Sequence, residues 1–420
     1  MEWLLILFYI LLFAFVISKW SFFKNDSITT RLFILVFVLK VLSSYFQKYL
    51  YDNFGFGGDA DTLFGVGKTV SGFLKTNPGL FLRTLTGTIS ETDYKLNFTY
   101  EMYWKNDDVF FNDNQTIIRI NALLNFITFG CFRVNAVIFC FFSTVGFNGL
   151  YKFFSSFFVE KRKEVFAVSC LIPSAIFWCS NISKESWLLF CLGLFLYAFS
   201  MLTQKFSIRF FVLMIVMLVF LAFIKIYFLL AILPALLSFL ISQSIKTISP
   251  VLIFPSLYSI GFIGLFSLNS FDFMHYLQLK QHSFQYLAEW SQSTSTIAIP
   301  DINGSVLNLI SNIPIALWNI LMRPYLWEMK SALWLPAIAE NILVLVLLIV
   351  GVIGFRWNKE RAAISLFCLF FAVSLLVLIG LTTPVIGALV RYKAPLLPFL
   401  LMFFVFHFDL EKLKTRVKFL

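Results

Sequence analysis

The chain has 420 residues, 60% of them hydrophobic and only 13% charged. Soluble domains run at about 45–50% apolar and about 25% charged, so a water-soluble enzyme, a disulfide-stapled secreted scaffold and a disordered chain are excluded, and an integral membrane protein is implied. The formal net charge of +11 sits largely in short loops, which is the pattern of membrane orientation rather than of nucleic-acid binding.

A membrane-spanning helix needs about 20 mostly apolar residues. Such runs are predicted at 3–20, 31–50, 134–154, 165–179, 185–203, 209–224, 226–243, 249–268, 337–355, 363–380 and 391–408, which makes an all-α polytopic bundle of about eleven spans. The first run lacks the basic start and the small-residue cleavage site of a signal peptide and reads as a true span. Pro173 interrupts the fourth run, and Pro395 and Pro398 interrupt the last. Prolines are tolerated inside spans where neighbours re-satisfy the backbone. Between the second and third runs, 114–131 is short and carries Arg119 and Asn121, so it reads as an interfacial or re-entrant helix. The stretch 303–322 is amphipathic enough to lie along the outer surface.

Short basic loops hold Lys19, Lys24 and Arg31, then Lys152, Lys161, Arg162 and Lys163, then Lys205 and Arg209, then Lys246, then Arg356, Lys359 and Arg361, and finally a tail with Lys412, Lys414, Arg416 and Lys418. With 114–131 not crossing, all fall on one side. The N-terminus is then outside, the C-terminus cytoplasmic, and 51–133 and 269–336 are external loops. No linker or internal repeat divides the chain, so 1–420 reads as a single polytopic domain. The six cysteines (131, 140, 170, 179, 191 and 368) show no CxxC spacing, and the three histidines form no HxxxH or HExxH pattern.

Charges at membrane depth are costly and by default mark function. In this orientation Asp59, Asp61, Lys184, Glu185, Lys225, Arg323, Glu328, Glu340, Arg391 and Lys393 lie at or near the external ends of spans, and Lys40 alone is mid-span. Short acidic side chains snorkel poorly, so the set points to a polar cavity open to the outside.

Four motifs carry these residues. The first is Gly55-Phe56-Gly57-Gly58-Asp59-Ala60-Asp61-Thr62, whose glycines let the chain turn directly after a span. In an extended strand its two aspartates point the same way; in a helix they diverge. The nearby Gly67-Lys68-Thr69 is not a phosphate-binding loop, because position 62 is threonine rather than glycine. The second is the hairpin from Pro173 to Glu185. There Ser180, Asn181 and Ser183 are capping residues and Glu185 suits a helix start, but capping does not account for Lys184. The third is Arg323-Pro324-Tyr325-Leu326-Trp327-Glu328, followed by Glu340-Asn341. The fourth runs from Thr382-Thr383-Pro384 through Gly387 to Arg391-Tyr392-Lys393-Ala394-Pro395. Arg391 is the strongest single candidate, since a guanidinium grips phosphate oxygens through a planar fork. Lys393 reads as an interfacial anchor.

An acidic motif after an early span (Gly58-Asp59-Ala60-Asp61), an Arg323-Pro324 pair and Arg391-Tyr392-Lys393-Ala394-Pro395-Leu396-Leu397-Pro398 entering the last span together resemble the GT-C superfamily of membrane glycosyltransferases, most of all multi-span proteins of bacterial surface-polysaccharide clusters. The acids here follow the second predicted span rather than the first. The resemblance implies a polyprenyl-phosphate-linked sugar donor, a glycan or lipid-linked acceptor on the external face of a bacterial inner membrane, and an acidic residue in the first external loop.

The chemistry is consistent with that layout. A lipid phosphate is a good leaving group, so one carboxylate can deprotonate the acceptor and cations must steady the departing phosphate, with inversion at the sugar. Asp59 or Asp61 would be the base. Arg391 with Lys225, Lys184 or Arg323 would hold the phosphate, with Glu185, Glu328, Glu340 and Tyr392 lining the substrate. Tyr100, Tyr103, Trp104, Tyr325 and Trp327 could stack on sugars. No cofactor is required, although the two aspartates leave room for a divalent cation. The rival enzyme is an O-antigen-type polymerase relying on arginines, and the rival of another class is a transporter or lipid-linked glycan flippase.

Overall fold

The computed structural model describes residues 2–25, 27–55, 59–98, 113–267 and 272–417. The described residues are all helical apart from loops. In chain order the helices are α1 (Glu2–Lys19), α2 (Thr30–Phe54), α3 (Ala60–Thr76), α4 (Pro78–Thr86), α5 (Glu91–Asn97), α6 (Asp113–Thr128), α7 (Phe132–Phe157), α8 (Arg162–Cys170), α9 (Pro173–Trp178), α10 (Lys184–Gln204), α11 (Ile208–Ser244), α12 (Pro250–Ser267), α13 (Phe273–Trp290), α14 (Val306–Met322), α15 (Leu335–Ile353), α16 (Ala362–Thr382), α17 (Ile386–Lys393), α18 (Leu397–His407) and α19 (Leu410–Val417).

Among the described residues, eight helices are long and apolar enough to cross a membrane, namely α1, α2, α7, α10, α11, α12, α15 with its preceding turn, and α16. The α17–α18 pair, bent by 50°, makes a ninth if it counts as one span. The protein is thus a polytopic integral membrane protein, with the apolar runs where the sequence puts them but joined differently. The run 165–179 is not one helix: α8 stops at Cys170 and Pro173 opens α9. The runs 209–224 and 226–243 both fall in α11, as two helical stretches that meet at a kink at Lys225 (φ −156°, ψ 89°). Proline at 395 follows the end of α17 and produces the bend before α18. As expected, 114–131 (largely α6) is not among the span-length helices.

The helices form two compact units, residues 1–171 with 175–229, and residues 172–174 with 230–420. In the first, α7 and α10 pack at backbone contact. A Cβ on Gly193 would lie 2.0 Å from the Gly146 carbonyl oxygen, and one on Gly146 would lie 2.3 Å from that of Leu189. Such close approach is how membrane helices gain dispersion contact where the hydrophobic effect is weak. Asn135 of α7 donates to Asn121 and Asn125 of α6, each at 3.0 Å.

The irregular backbone around α9 is satisfied by side chains, as a non-helical stretch inside a bundle requires. Gln47 donates to the Phe177 carbonyl and Ser183 to that of Trp178 at 3.3 Å. Lys40 donates to the Cys179 carbonyl at 2.8 Å and Ser186 to that of Asn181 at 3.0 Å.

Within this unit the ends of the helices differ in charge. Asn148 donates to the Phe22 carbonyl, Arg162 to Ser27, and the Lys152 ammonium lies over Phe22 and Tyr197. These contacts gather the basic loops at one end. The end of α2 and the starts of α3 and α10 lie opposite.

In the second unit, a cluster of Met274, Leu277, Ile302, Leu309, Ala316 and Leu381 packs α13 and α14 against α16. The far end of α16 is basic. There Arg356 pairs with Asp409 at 3.0 Å and Lys412 donates to the Phe355 carbonyl. The buried His407 stacks on Trp357 (4.6 Å between centroids). Its Nδ1 accepts from the Asn358 N–H, which leaves Nε2 protonated to donate to Ser365 Oγ at 2.8 Å. The Arg356 guanidinium, with the N–H groups of Lys412 and Glu411, holds the Asp409 carboxyl below its ordinary 3.8.

Candidate functional site

In the first unit the predicted residues are brought together as ion pairs. Gly55 takes a left-handed conformation (φ +61°) and closes α2, as the turn after a span requires. Phe56, Gly57 and Gly58 lie outside the described residues, as do Tyr100, Tyr103 and Trp104. Asp59 is the N-cap residue of α3 and Asp61 lies in its first turn. The backbone there is not extended, so the two aspartates do not share a face as alternate residues of a strand would. Asp61 Oδ1 accepts from Lys48 at 2.7 Å, and Lys48 also binds Asp52 at 2.6 Å.

At the start of α10, Ser183 caps the helix by accepting from the Ser186 N–H at 3.2 Å. Lys184, which capping does not explain, reaches Asp113 of α6 at 2.9 Å. Glu185 is 2% exposed and binds Lys225 of α11 at 2.9 Å, with Lys225 4% exposed. The one non-helical residue of a 37-residue apolar helix is therefore the residue that reaches a carboxylate. An ammonium at that depth needs a partner, and leaving regular helical geometry lets it find one. Lys225 and Lys184 are thus each paired with a carboxylate. Among the described residues, no three His, Cys, Asp or Glu side chains come together as a metal-binding group.

Lys40 is fully buried. Besides the Cys179 carbonyl it donates to Ser143 Oγ at 2.9 Å and lies 4.1 Å from the Phe147 ring centroid, so the mid-span charge is a clasp between α2, α7 and the end of α9.

In the second unit the decisive side chain is one that the sequence reads as an interfacial anchor. Lys393 is 2% exposed. It donates to the carbonyls of Ile320 (3.0 Å), Leu321 (3.3 Å) and Arg323 (3.5 Å) and to Asn341 Oδ1 (2.6 Å). Asn341 in turn donates to the carbonyls of Met322 and Pro324. The last carbonyls of a helix have no intrahelical partners. Here two side chains satisfy those of α14, and a cation sits at the negative end of its dipole.

This clasp ties α17, which carries Arg391, to the segment that carries Arg323. Arg391 is half-buried, its guanidinium 5.0 Å from the Tyr392 ring centroid, with Nη2 donating to the Tyr392 hydroxyl at 3.2 Å. Arg323 is half-buried, pairs with Glu328 at 2.8 Å and lies over the Tyr325 ring. Glu328 also accepts from the Tyr325 N–H at 3.0 Å. Tyr325 stacks on the exposed Trp327. Glu340, nearly buried, accepts from the Ser174 N–H.

No protein-family profile, curated protein or solved structure matches this chain. Function therefore rests on these residues. Lys40 stood out in the sequence as the lone mid-span charge, whereas Lys48 was missed, although its spacing of four residues from Asp52 is a local signal for such a pair. No local signal identifies Asp113 as the partner of Lys184, or the depth of Lys393.

Proposed function

We propose that the protein is a membrane glycosyltransferase of the GT-C kind that takes its sugar from a polyprenyl-phosphate-linked donor, with the arginine-bearing end of the second unit as the phosphate site. One observation carries this reading: Lys393 locks the Arg391 helix to the Arg323 segment, so two half-buried guanidiniums share one polar end. Guanidiniums hold phosphate oxygens two at a time and keep their charge when partly desolvated. A lipid phosphate brings its acyl tail into the same bilayer that surrounds the helices. In this reading Tyr392, Glu328 and Glu340 line the donor head group, and the acceptor is a glycan or lipid-linked glycan on the outer face of a bacterial inner membrane.

Eleven spans fit the same picture when α11 counts as two, α8–α9 as one and α17–α18 as one. The stretches of α11 before and after Lys225 have 17 and 19 residues, about 26 and 29 Å at 1.5 Å per residue, each close to the hydrocarbon thickness of about 30 Å. The basic loops of each unit lie at the end away from the candidate residues, which supports a cytoplasmic C-terminus and an external N-terminus.

A second reading, an O-antigen-type polymerase that leans on arginines more than on an aspartate base, is favoured by the Lys48–Asp61 pair, which occupies one of the two first-loop carboxylates.

The test is binding of a polyprenyl monophosphate to the purified protein in nanodiscs. Arg391→Lys keeps the charge but loses the fork, and binding should weaken by about 10–100-fold, the equivalent of one charge-assisted hydrogen bond. Arg391→Ala should weaken it further. Wild-type binding by Arg391→Lys would refute the phosphate site.

A further inference from the structure

α14 is amphipathic in an unusual sense. Its exposed stripe is Leu307, Ile310, Ser311, Pro314, Ile315 and Trp318, with Leu307 79% exposed and Trp318 56% exposed. Its buried stripe is Leu309, Asn312, Ala316, Asn319 and Ile320. Polar amides thus face the protein and apolar side chains face outward. A helix floating on the membrane surface shows a polar face to water, and this one has no such face. None of its 17 residues is charged. The hydroxyl on the exposed stripe, Ser311 Oγ, donates to the Asn308 carbonyl at 2.9 Å, so it presents no unsatisfied donor to hydrocarbon.

Both ends of α14 meet the same end of the second unit. Just before it, Gln281 accepts from the Ile302 N–H at 3.1 Å and donates to the Leu381 carbonyl at 2.8 Å, in the last turn of α16. At the other end, the carbonyls of Ile320 to Pro324 are held by Lys393 and Asn341. Asn341 lies six residues inside α15, which is about 9 Å from the start of that helix. The tip of α14 therefore lies below the level at which α15 begins, and 324–334 climbs back to it.

We infer that Val306–Met322 is a re-entrant helix immersed in the outer part of the bilayer, its Leu307–Ile310–Ile315–Trp318 face against lipid acyl chains. The occupant of that face is lipid, because α14 packs beside α15, a helix of spanning length whose Ile342, Leu343, Val346 and Leu347 are likewise exposed. The consequence is positional. Arg323 follows the submerged tip and is carried to the depth of phospholipid head groups, where a lipid-borne phosphate lies.

The experiment is collision accessibility of nitroxide spin labels on single cysteines in nanodiscs, made in a background with Cys131 replaced and the buried cysteines left in place. At Leu307→Cys, Ile310→Cys, Ile315→Cys and Trp318→Cys, oxygen collisions should exceed those with a water-soluble nickel chelate. Asn303→Cys and Lys330→Cys should show the reverse. These sites are exposed, so labelling leaves the fold intact, and unchanged melting temperatures verify this. Dominant nickel-chelate collisions at 307 and 318 would place the helix in water and overturn the inference. Low collision rates with both reagents, together with dipolar broadening between labels, would show that a second copy covers the face and would overturn it equally. The inference rests on the burial pattern and the contacts at the two ends of α14, and takes only the outward direction from the proposed orientation, so loss of polyprenyl-phosphate binding leaves it standing, and its own failure leaves the phosphate site standing.

Discussion

Lys225 and Glu185 face each other at 2.9 Å with almost no solvent on either side chain, one at a break in α11 and the other in the first turn of α10. Removing one member of a buried pair strands the other, which typically costs about 3–5 kcal/mol. Glu185→Leu and Lys225→Met should each lower the melting temperature in detergent strongly. The double variant Glu185→Leu/Lys225→Met should recover much of the loss, since no charge is then left behind. Additive losses in the double variant would show that the two residues do not act on each other.

Asp61 is held by Lys48 near the surface, with both side chains partly exposed, and such pairs contribute at most about 1 kcal/mol. Asp61→Asn should leave stability nearly unchanged. Asp59→Asn separates the two enzymatic readings. If Asp59 is the general base, surface glycan made in cells should fall by about 10²–10⁴-fold at unchanged protein level. If the arginine-dependent polymerase is correct, Asp59→Asn should make normal amounts of glycan.

Gly193→Ala should destabilise the first unit by about 1–3 kcal/mol or more, because its new methyl would meet the α7 backbone. Gly72→Ala, in α3 with nothing within 4 Å of the added Cβ, should instead stabilise by up to about 1 kcal/mol. Melting temperatures of the two variants in the same detergent decide the matter. Equal and small effects would mean that α7 and α10 do not touch as described.

Asp409 accepts from Arg356 and also from the N–H groups of Glu411 and Lys412, which starts α19. Its carboxyl is held below the ordinary range, so the anchoring is fully present above about pH 4 and is lost as pH falls through the folded-state value. Amide exchange in α19 should be slow at neutral pH, rise on acidification, and be fast at neutral pH in Asp409→Asn. Exchange in Asp409→Asn that matches the wild type would remove this anchor.

The apolar runs, the proline breaks and the Ser183 cap were legible because each depends on residues within a few positions of one another. Partnerships across the fold were not. Lys225 stood out as a charge between two apolar runs, but nothing local ties it to a glutamate 40 residues earlier, and a phosphate role was as consistent with its position as an ion pair. Lys393 was misread for a physical reason. A lysine near a predicted span end can reach either outward to water or inward to carbonyls, and only the position of the end of α14 decides between them. The amphipathicity of 303–322 was legible while its direction was not, because asparagines can face water or a protein interior equally well.

The backbone contact between α7 and α10 has a mechanical consequence. Two helices whose glycines meet carbonyl to Cα leave no room for either to slide or rotate against the other, so Glu185 is mounted on the stiffest part of its unit. Lys225 is mounted on a residue already outside helical geometry, where torsion is cheapest to change. If the pair parts, the carboxylate stays with its close-packed helix and the ammonium is the group free to turn, because its own backbone is the break in the helix.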